Sequence, residues 1–384
     1  MDTRELQQKF KDIYGVEPEY LYFAPGRVNL IGEHIDYNGG RVFPCALTFG
    51  TYLMAAKRLD SQVALASLNI PGTAEVGEDA LGRKSGKWTD YPMGVMKEFV
   101  NRGYQPFGYN ILYWGDIPNR AGLSSSASLE VVTAVFLNDM LKCGMSRVEL
   151  VKLSQHAEND FVGMNCGIMD QFAVGMGSEG HAIALDCATL EYESVPLDIA
   201  GYKLVIANSN KHHDLVTSEY NTRRMQCEKA LKILQERYPV ANLCELDPVL
   251  LDEAAGLFED EVLYRRVRHA VTENDRVNQA IRALRLGDLS RFGKLMNESH
   301  RSLKEDYEVT GVEMDTLAEE AQRLEGVLGA RITGGGFGGC TVNLVRDDAV
   351  EGFVRQLGEI YRQRVGLHAD FYIAGIGDGA RRIY

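Results

Sequence analysis

The sequence carries no surplus of positive charge, no paired-cysteine spacing and no apolar run of membrane length. Over 384 residues, 41 Lys and Arg face 54 Asp and Glu, a formal net charge of −13. Broad binding to nucleic acid or to an anionic membrane draws on excess Lys and Arg, so no nucleic-acid and no membrane partner is expected. An anionic ligand would be held locally, by backbone amides, one or two cations or a metal. Seven cysteines at wide spacings, with no CxxC among them, fit neither a disulfide framework nor a structural zinc site. The histidines show no HExxH spacing. The longest apolar stretch, around residues 131–137, is far shorter than the ~20 residues a membrane helix needs. The opening MDTRELQQKFKDIYG mixes charges and lacks the apolar centre of a secretory signal, which predicts a cytoplasmic protein. A GxxxxGK[ST] loop is absent, which excludes the P-loop fold, and Ser126 stands where a GxSxG nucleophile elbow needs glycine.

What is present is ordinary globular material, 45% hydrophobic and 25% charged, in a chain long enough for two domains. Leu6, Phe10 and Ile13 recur at helical spacing and predict a short amphipathic helix. Residues 41–58, 62–68 and 107–117 read as strands, the last alternating apolar and polar before a turn at Pro118-Asn119. A buried helix is expected over about 126–142 and a second over 147–162. Strands follow at 181–186 and 203–208, then mostly helical sequence from 212 to 304. The tail reads as helix 312–328, strand, Gly-rich turn, strand 340–345, helix 348–364 and strand 370–376. Interleaved helices and strands predict an α+β protein of two lobes, with a ligand site between them.

Four segments carry chemistry. APGRVNLIGEHIDYN (24–38) packs Arg27, Asn29, Glu33, His34, Asp36 and Asn38 between glycines. Glu33 and Asp36 could accept hydrogen bonds from adjacent sugar hydroxyls, and on a helix their i, i+3 spacing would share one face. GLSSSAS (122–128) lies between a strand and the long helix, where free N–H groups, hydroxyls and the positive end of the helix dipole suit a phosphate. TGGGFGG (333–339) contains a GxGxxG string, as do residues 175–180. Both lead into strands rather than helices, so neither is a dinucleotide fingerprint; the first offers a backbone able to approach a ligand or another loop closely. GMNCGIMDQF (163–172) sets Asp170 among apolar neighbours, with Arg27 as a cation that could lie beside it.

Glu158 would face the same region if helix 147–162 packs on the serine loop, and with a hydroxyl could hold Mg2+. Tyr220 in SEYNTRR (218–224) could close over a small ligand. Trp88 and Tyr91 lie one helical turn apart, as core or as the wall of an adenine pocket. Arg265, Arg266 and Arg268 read as a solvated helix face.

In combination these segments, together with NESHRSLKEDYEV (297–309), resemble the galactokinase branch of the GHMP small-molecule kinase superfamily along nearly the whole chain. The resemblance implies ATP-dependent phosphorylation of α-D-galactose at its C1 hydroxyl, with Mg2+, by a monomer or weak homo-oligomer. It implies Asp170 as the catalytic carboxylate with Arg27 beside it. Glu33, His34, Asp36, Gly167 and Tyr220 would bind the sugar. Gly122, Leu123, Ser124, Ser125, Ser126, Ala127 and Ser128 would surround the ATP phosphates, Ser126 and Glu158 the metal, and Trp88 the adenine. The implied fold is an N-terminal lobe (1–200) resembling ribosomal protein S5 domain 2 and a ferredoxin-like C-terminal lobe (201–384), the last strand returning to the first. Ile35 replaces the family's usual threonine and is expected to point into packing. Arg120 stands where glycine is common, and His212-His213-Asp214 lies near the sugar-side segment. Alternatives are the same chemistry on N-acetylgalactosamine or L-arabinose, and a non-catalytic galactose- and ATP-binding sensor; an NAD-dependent dehydrogenase rests on the glycine strings alone.

Overall fold

The computed structural model describes residues 1–118, 121–211 and 216–384. Asn119 of the expected turn, Arg120 and the His212-His213-Asp214 run fall outside these residues. The first half comprises α1 (Thr3–Tyr14), β1 (Tyr20–Asn29), β2 (Arg41–Val42), β3 (Pro44–Lys57), β4 (Val63–Ser67), β5 (Thr73–Val76), α2 (Asp90–Asn101), β6 (Tyr109–Gly115), α3 (Ser125–Met140), α4 (Arg147–His156), α5 (Met169–Met176), β7 (His181–Asp186) and β8 (Tyr192–Pro196). The second comprises β9 (Tyr202–Asn208), α6 (Val216–Gln235), α7 (Leu251–Ala255), α8 (Glu261–Arg285), α9 (Leu289–Ser302), α10 (Gly311–Arg323), β10 (Val327–Thr333), β11 (Cys340–Arg346), α11 (Val350–Val365), β12 (Asp370–Ala374) and β13 (Arg381–Arg382). The architecture is α+β.

A six-stranded sheet runs β13-β1-β3-β6-β4-β5, and a small one β2-β7-β8. The four-stranded sheet is antiparallel throughout, in the order β10-β11-β9-β12. Counting β9 as first, this is order 2-3-1-4, the ferredoxin-like arrangement of a βαββαβ unit. After β12 the chain crosses back: Ile376 bridges Leu47 and β13 pairs with β1.

Burial explains where the expected elements shift. Leu6 and Phe10 of α1 pack on Leu21, Met54 and Leu112. Ile13 is 41% exposed, because Tyr14, a full turn beyond Phe10, takes the inward position. Strand β6 does not alternate: Tyr109 to Tyr113 are all buried, with Leu112 under α1 and Ile111 and Tyr113 joined to the core of α2 and α3. Helix α3 buries ten of its sixteen residues and forms the centre of the N-terminal half. Helix α4 opens on a capping box of Ser146 and Glu149, and from Ala157 to Val162 the winding widens to a π-helical turn. Such turns often mark functional sites. Helix α10 ends at Arg323, five residues early, because Leu324 is extended and Gly326 turns the chain (φ 85°) into β10.

The basic run on α8 is a correction to the solvated-face expectation. Arg266 is buried; its Nε donates to Gln226 Oε1 at 2.8 Å, and its Nη groups to the Asp306 carbonyl and the Glu308 carboxylate. Arg265 donates to the Glu305 carbonyl at 2.9 Å and Arg268 to Asp306. The three arginines clamp the turn at 303–308 onto α8.

Candidate active site

Strand β1 shifts register between Pro25 and Arg27 and carries the buried Arg27 to the floor of a cleft of about 360 Å³. The chain then turns through Glu33 and His34 (φ 61°) into a single 3-10 turn at Asp36–Asn38. The stretch is thus not an α-helix, yet both acids reach the cleft, with Ile35 buried in the core. Opposite, Gly122 and Ser124 both take left-handed backbone conformations before α3 begins at Ser125. The first turn of α3 has no side-chain cap, so its N–H groups and dipole end are available to an anion. Asp170 enters from the first turn of α5.

The cleft brings together Arg27, Glu33, His34, Asp36, Gly122, Leu123, Ser124, Ser125, Ser126, Glu158, Gly167, Asp170 and Tyr220, segments up to 193 positions apart in the chain. Ala127 and Ser128 are absent from the cleft lining: the winding of α3 turns both side chains inward, where they are fully buried, and Ser128 Oγ donates to the Ala24 carbonyl at 2.8 Å. Trp88 lines an adjoining hollow of about 170 Å³ with Tyr91, Trp114 and Leu129, which opens onto Ser125 and Ser126. Its ring stands edge-on to Tyr113, centroids 5.7 Å apart.

Charge at the floor is arranged in pairs. Arg27 Nε and Nη2 lie 2.9 and 2.8 Å from Asp170 Oδ1, and Nη1 donates to the Gly122 carbonyl at 2.6 Å. Ser124 Oγ donates to Asp170 Oδ2 at 2.7 Å. Burial, then the charges of Asp170 and Glu33, push Asp36 up to about 7. Burial, then Asp170, push Glu158 up to about 7, partly offset by a hydrogen bond from Ser126. Glu33 is also raised by burial, against the pull of Arg331 and Arg27; its oxygens accept from Asn29 Nδ2 and the Gly334 N–H.

His34 is held neutral, pushed down to about 3 chiefly by burial. Its Nε2 faces the Gly335 carbonyl at 3.2 Å and so carries the proton. Nδ1 then accepts from Tyr37 Oη at 2.8 Å. With both nitrogens used inside the protein, His34 shapes the wall and has no free donor for a sugar. Tyr220 is buried beside it, ring centroids 5.5 Å apart.

The lining also includes Thr333 and glycines of the 333–339 string, and Met164, Cys166 and Met169, to which the sequence alone assigns no role. The glycine string's capacity for close approach is realised here, since a Cβ at Gly334 would stand 2.7 Å from the Gly122 carbonyl oxygen. Behind the floor lie Glu130, Gln171 and Arg331, all fully buried. Glu130 had a legible signal, one helical turn after Ser126; Arg331 had none. A second cluster, His300, Asp315 and Glu319, holds ligand-type atoms within 4.8 Å of one another. There the Lys304 ammonium pairs with both acids and occupies the cation position.

A ferredoxin-like lobe joined to a glycine- and serine-rich helix N-terminus across a cleft defines a small-molecule kinase of the GHMP type. Residues 90–178 match the GHMP kinase N-terminal domain and 280–363 the GHMP kinase C-terminal domain, while 8–57 match the galactokinase galactose-binding signature. The chain is 50% identical to galactokinase of Clostridium acetobutylicum and 49% identical to that of Clostridium beijerinckii, over 98% of each chain. The crystal structure of Lactococcus lactis galactokinase complexed with galactose superposes with a TM-score of 0.96 at 46% identity, covering 98% of this chain and 99% of that one. The chain belongs to the galactokinase family. No helix among the described residues is long and apolar enough to cross a membrane.

Proposed function

We infer that the protein is an ATP-dependent sugar 1-kinase that phosphorylates α-D-galactose at its C1 hydroxyl, yielding galactose 1-phosphate and ADP. The observation that carries this reading is the cleft itself: Asp170, paired with Arg27 and hydrogen-bonded to Ser124 at the open N-terminus of α3, lines one cavity of about 360 Å³ together with the 24–38 signature and the serine loop. Phosphoryl transfer passes through a loose transition state, so the protein's work is alignment and charge neutralisation. A chain of net charge −13 achieves that locally, with the loop amides of Gly122–Ser126 and the α3 dipole on the phosphates. Asp170 orients the C1 hydroxyl and accepts its proton through Oδ2, since Oδ1 is engaged by Arg27. Asp36, Glu33, the backbone at Gly167 and Tyr220 hold the remaining sugar hydroxyls. Trp88 and its hollow take the adenine.

The metal fits the residues present. Ser126 and Glu158, hydrogen-bonded to each other, form a hard-oxygen pair at the phosphate end of the cleft, suited to Mg2+ with phosphate oxygens completing its shell. Bound Mg2+ would neutralise phosphate charge during transfer. The reading also takes residues 1–200 and 201–384 as the two lobes, in a cytoplasmic enzyme that is a monomer or weak homo-oligomer.

A coupled ADP-release assay over galactose, N-acetylgalactosamine and L-arabinose tests it. Galactose should give kcat/KM at least about tenfold above either rival, the ratio that 1.4 kcal/mol of transition-state discrimination produces. Saturable binding of galactose and ATP without ADP release would instead identify a sensor.

A further inference from the structure

Glu158 reaches the cleft from the π-helical turn, an irregular element, and its three side-chain torsions need support if its carboxylate is to stay fixed. That support comes from two groups outside the cleft lining. Gln171 is fully buried, and its Nε2 donates to Glu158 Oε2 at 2.6 Å and to Glu130 Oε2 at 3.0 Å. Glu130 is also fully buried, one helical turn beyond Ser126 on α3. Beyond these bonds, Gln171 Nε2 makes only a long contact to Cys166 Sγ at 4.0 Å, and the Glu130 carboxyl also bonds that of Glu158, so the orientation of both groups is directed at Glu158. One amide nitrogen therefore links three elements: α3, which carries Ser126; the π turn, which carries Glu158; and α5, where Gln171 directly follows Asp170.

We propose that Glu130 and Gln171 are positioning residues that brace the Glu158 carboxylate for the metal and tie the metal's place to that of Asp170. The proposal rests on the metal reading given above. Gln171 and Asp170 are consecutive on a buried helix, so their side chains leave in different directions: one grips the metal ligand and the other faces the sugar. A displacement of α5 moves both together. Groups that orient a ligand in this way are commonly worth 10–100-fold in metal affinity.

The test is Mn2+ binding, read by the loss of the free-ion EPR signal, to protein saturated with a non-hydrolysable ATP analogue and without sugar. Gln171→Met keeps the length and removes the donor; Glu130→Leu removes the acceptor; Glu130→Gln keeps an acceptor oxygen for Gln171. Mn2+ affinity should fall about 10–100-fold in Gln171→Met and Glu130→Leu, and remain within about threefold of wild type in Glu130→Gln. Galactose affinity by calorimetry should stay within about twofold in all three, which separates a brace from general loosening of the core. Should Glu130→Leu fail to fold by circular dichroism, Gln171→Met alone decides. Wild-type Mn2+ affinity in Gln171→Met, with affinity lost in Glu158→Gln, overturns the brace and leaves the metal reading standing. Wild-type affinity in Glu158→Gln would overturn the metal reading itself.

Discussion

Arg27 and Asp170 meet side-on, with two guanidinium nitrogens on the single oxygen Oδ1 and the Ser124 hydroxyl on Oδ2. The geometry divides the carboxylate. Oδ1 anchors it to the buried Arg27, and Oδ2, held by a rotatable hydroxyl, is the oxygen open to the cleft. Asp170→Asn keeps a carbonyl for Arg27 and removes the proton acceptor. We expect kcat to fall about 10²–10⁴-fold with an unchanged circular dichroism spectrum; near-normal turnover in the folded variant would remove Asp170 from the chemistry.

Asp36 gives a pH signature. Its carboxyl sits near 7 in the folded protein against 3.8 for a free side chain. Between about pH 4 and 7 the folded state holds a proton that the unfolded state has released, so stability from this group is lost progressively across that window and is level above it. Asn at position 36 does not titrate and escapes that loss. The melting temperature of ligand-free Asp36→Asn relative to wild type should therefore climb by a few degrees between pH 5 and pH 8, reflecting about 1–2 kcal/mol, most of it below pH 7. Its galactose affinity should fall. A thermal-shift series across pH 5–8 checks the first point, and an equal Tm gain at both ends would contradict the assigned charge state.

Glu33 has a structural duty beyond a sugar contact. It receives the Gly334 N–H and faces the buried Arg331, whose Nη2 lies 3.7 Å away. Glu33→Ala leaves that arginine uncompensated, a change that typically costs about 3–5 kcal/mol. Denaturant titration should reveal this loss alongside a raised galactose KM, whereas Glu33→Gln, which keeps an acceptor for the Gly334 N–H but no charge for Arg331, should recover only part of the stability and little of the KM.

Much of this was readable before folding. Asp170, Arg27 and the serine loop stood out because each combines a polar group with a glycine or helix-start context that packing alone does not require. The βαββαβ tail was legible because its strands and helices change period cleanly. Arg266 and Arg331 were not, since an arginine's burial depends on carbonyls and acids supplied from distant segments, here Asp306, Glu308 and Asn29. The inward winding of Ala127 and Ser128 was equally hidden, because it follows from how α3 is rotated against β1. Strand β6 read as half-exposed because nothing local reveals that α1 covers its second face.

Substitution of Trp88 should separate the two substrates of the proposed reaction. Its hollow touches the serine loop but none of the sugar-side residues. Base–aromatic stacking is worth about 1–3 kcal/mol, so Trp88→Ala should raise the KM for ATP about 5–100-fold and leave that for galactose unchanged. Initial-rate kinetics with each substrate varied in turn is the measurement; a matched rise in both constants would place Trp88 in the core alone.

Two glycines should fail differently. A Cβ on Gly167 would collide with the Asp36 carboxylate, a group on the proposed sugar side. Gly334 adopts φ 88° and a Cβ there would meet the Gly122 carbonyl at 2.7 Å, while its N–H holds Glu33. Its substitution therefore strains the backbone by about 1–2 kcal/mol and pushes the glycine loop off the phosphate loop. Gly167→Ala should raise galactose KM with kcat and ATP KM nearly intact. Gly334→Ala should lower kcat and worsen both KM values, because Gly334 joins the sugar signature to the phosphate loop. If Gly334→Ala changed galactose KM alone, the contact between the two loops would have no part in aligning the reactants.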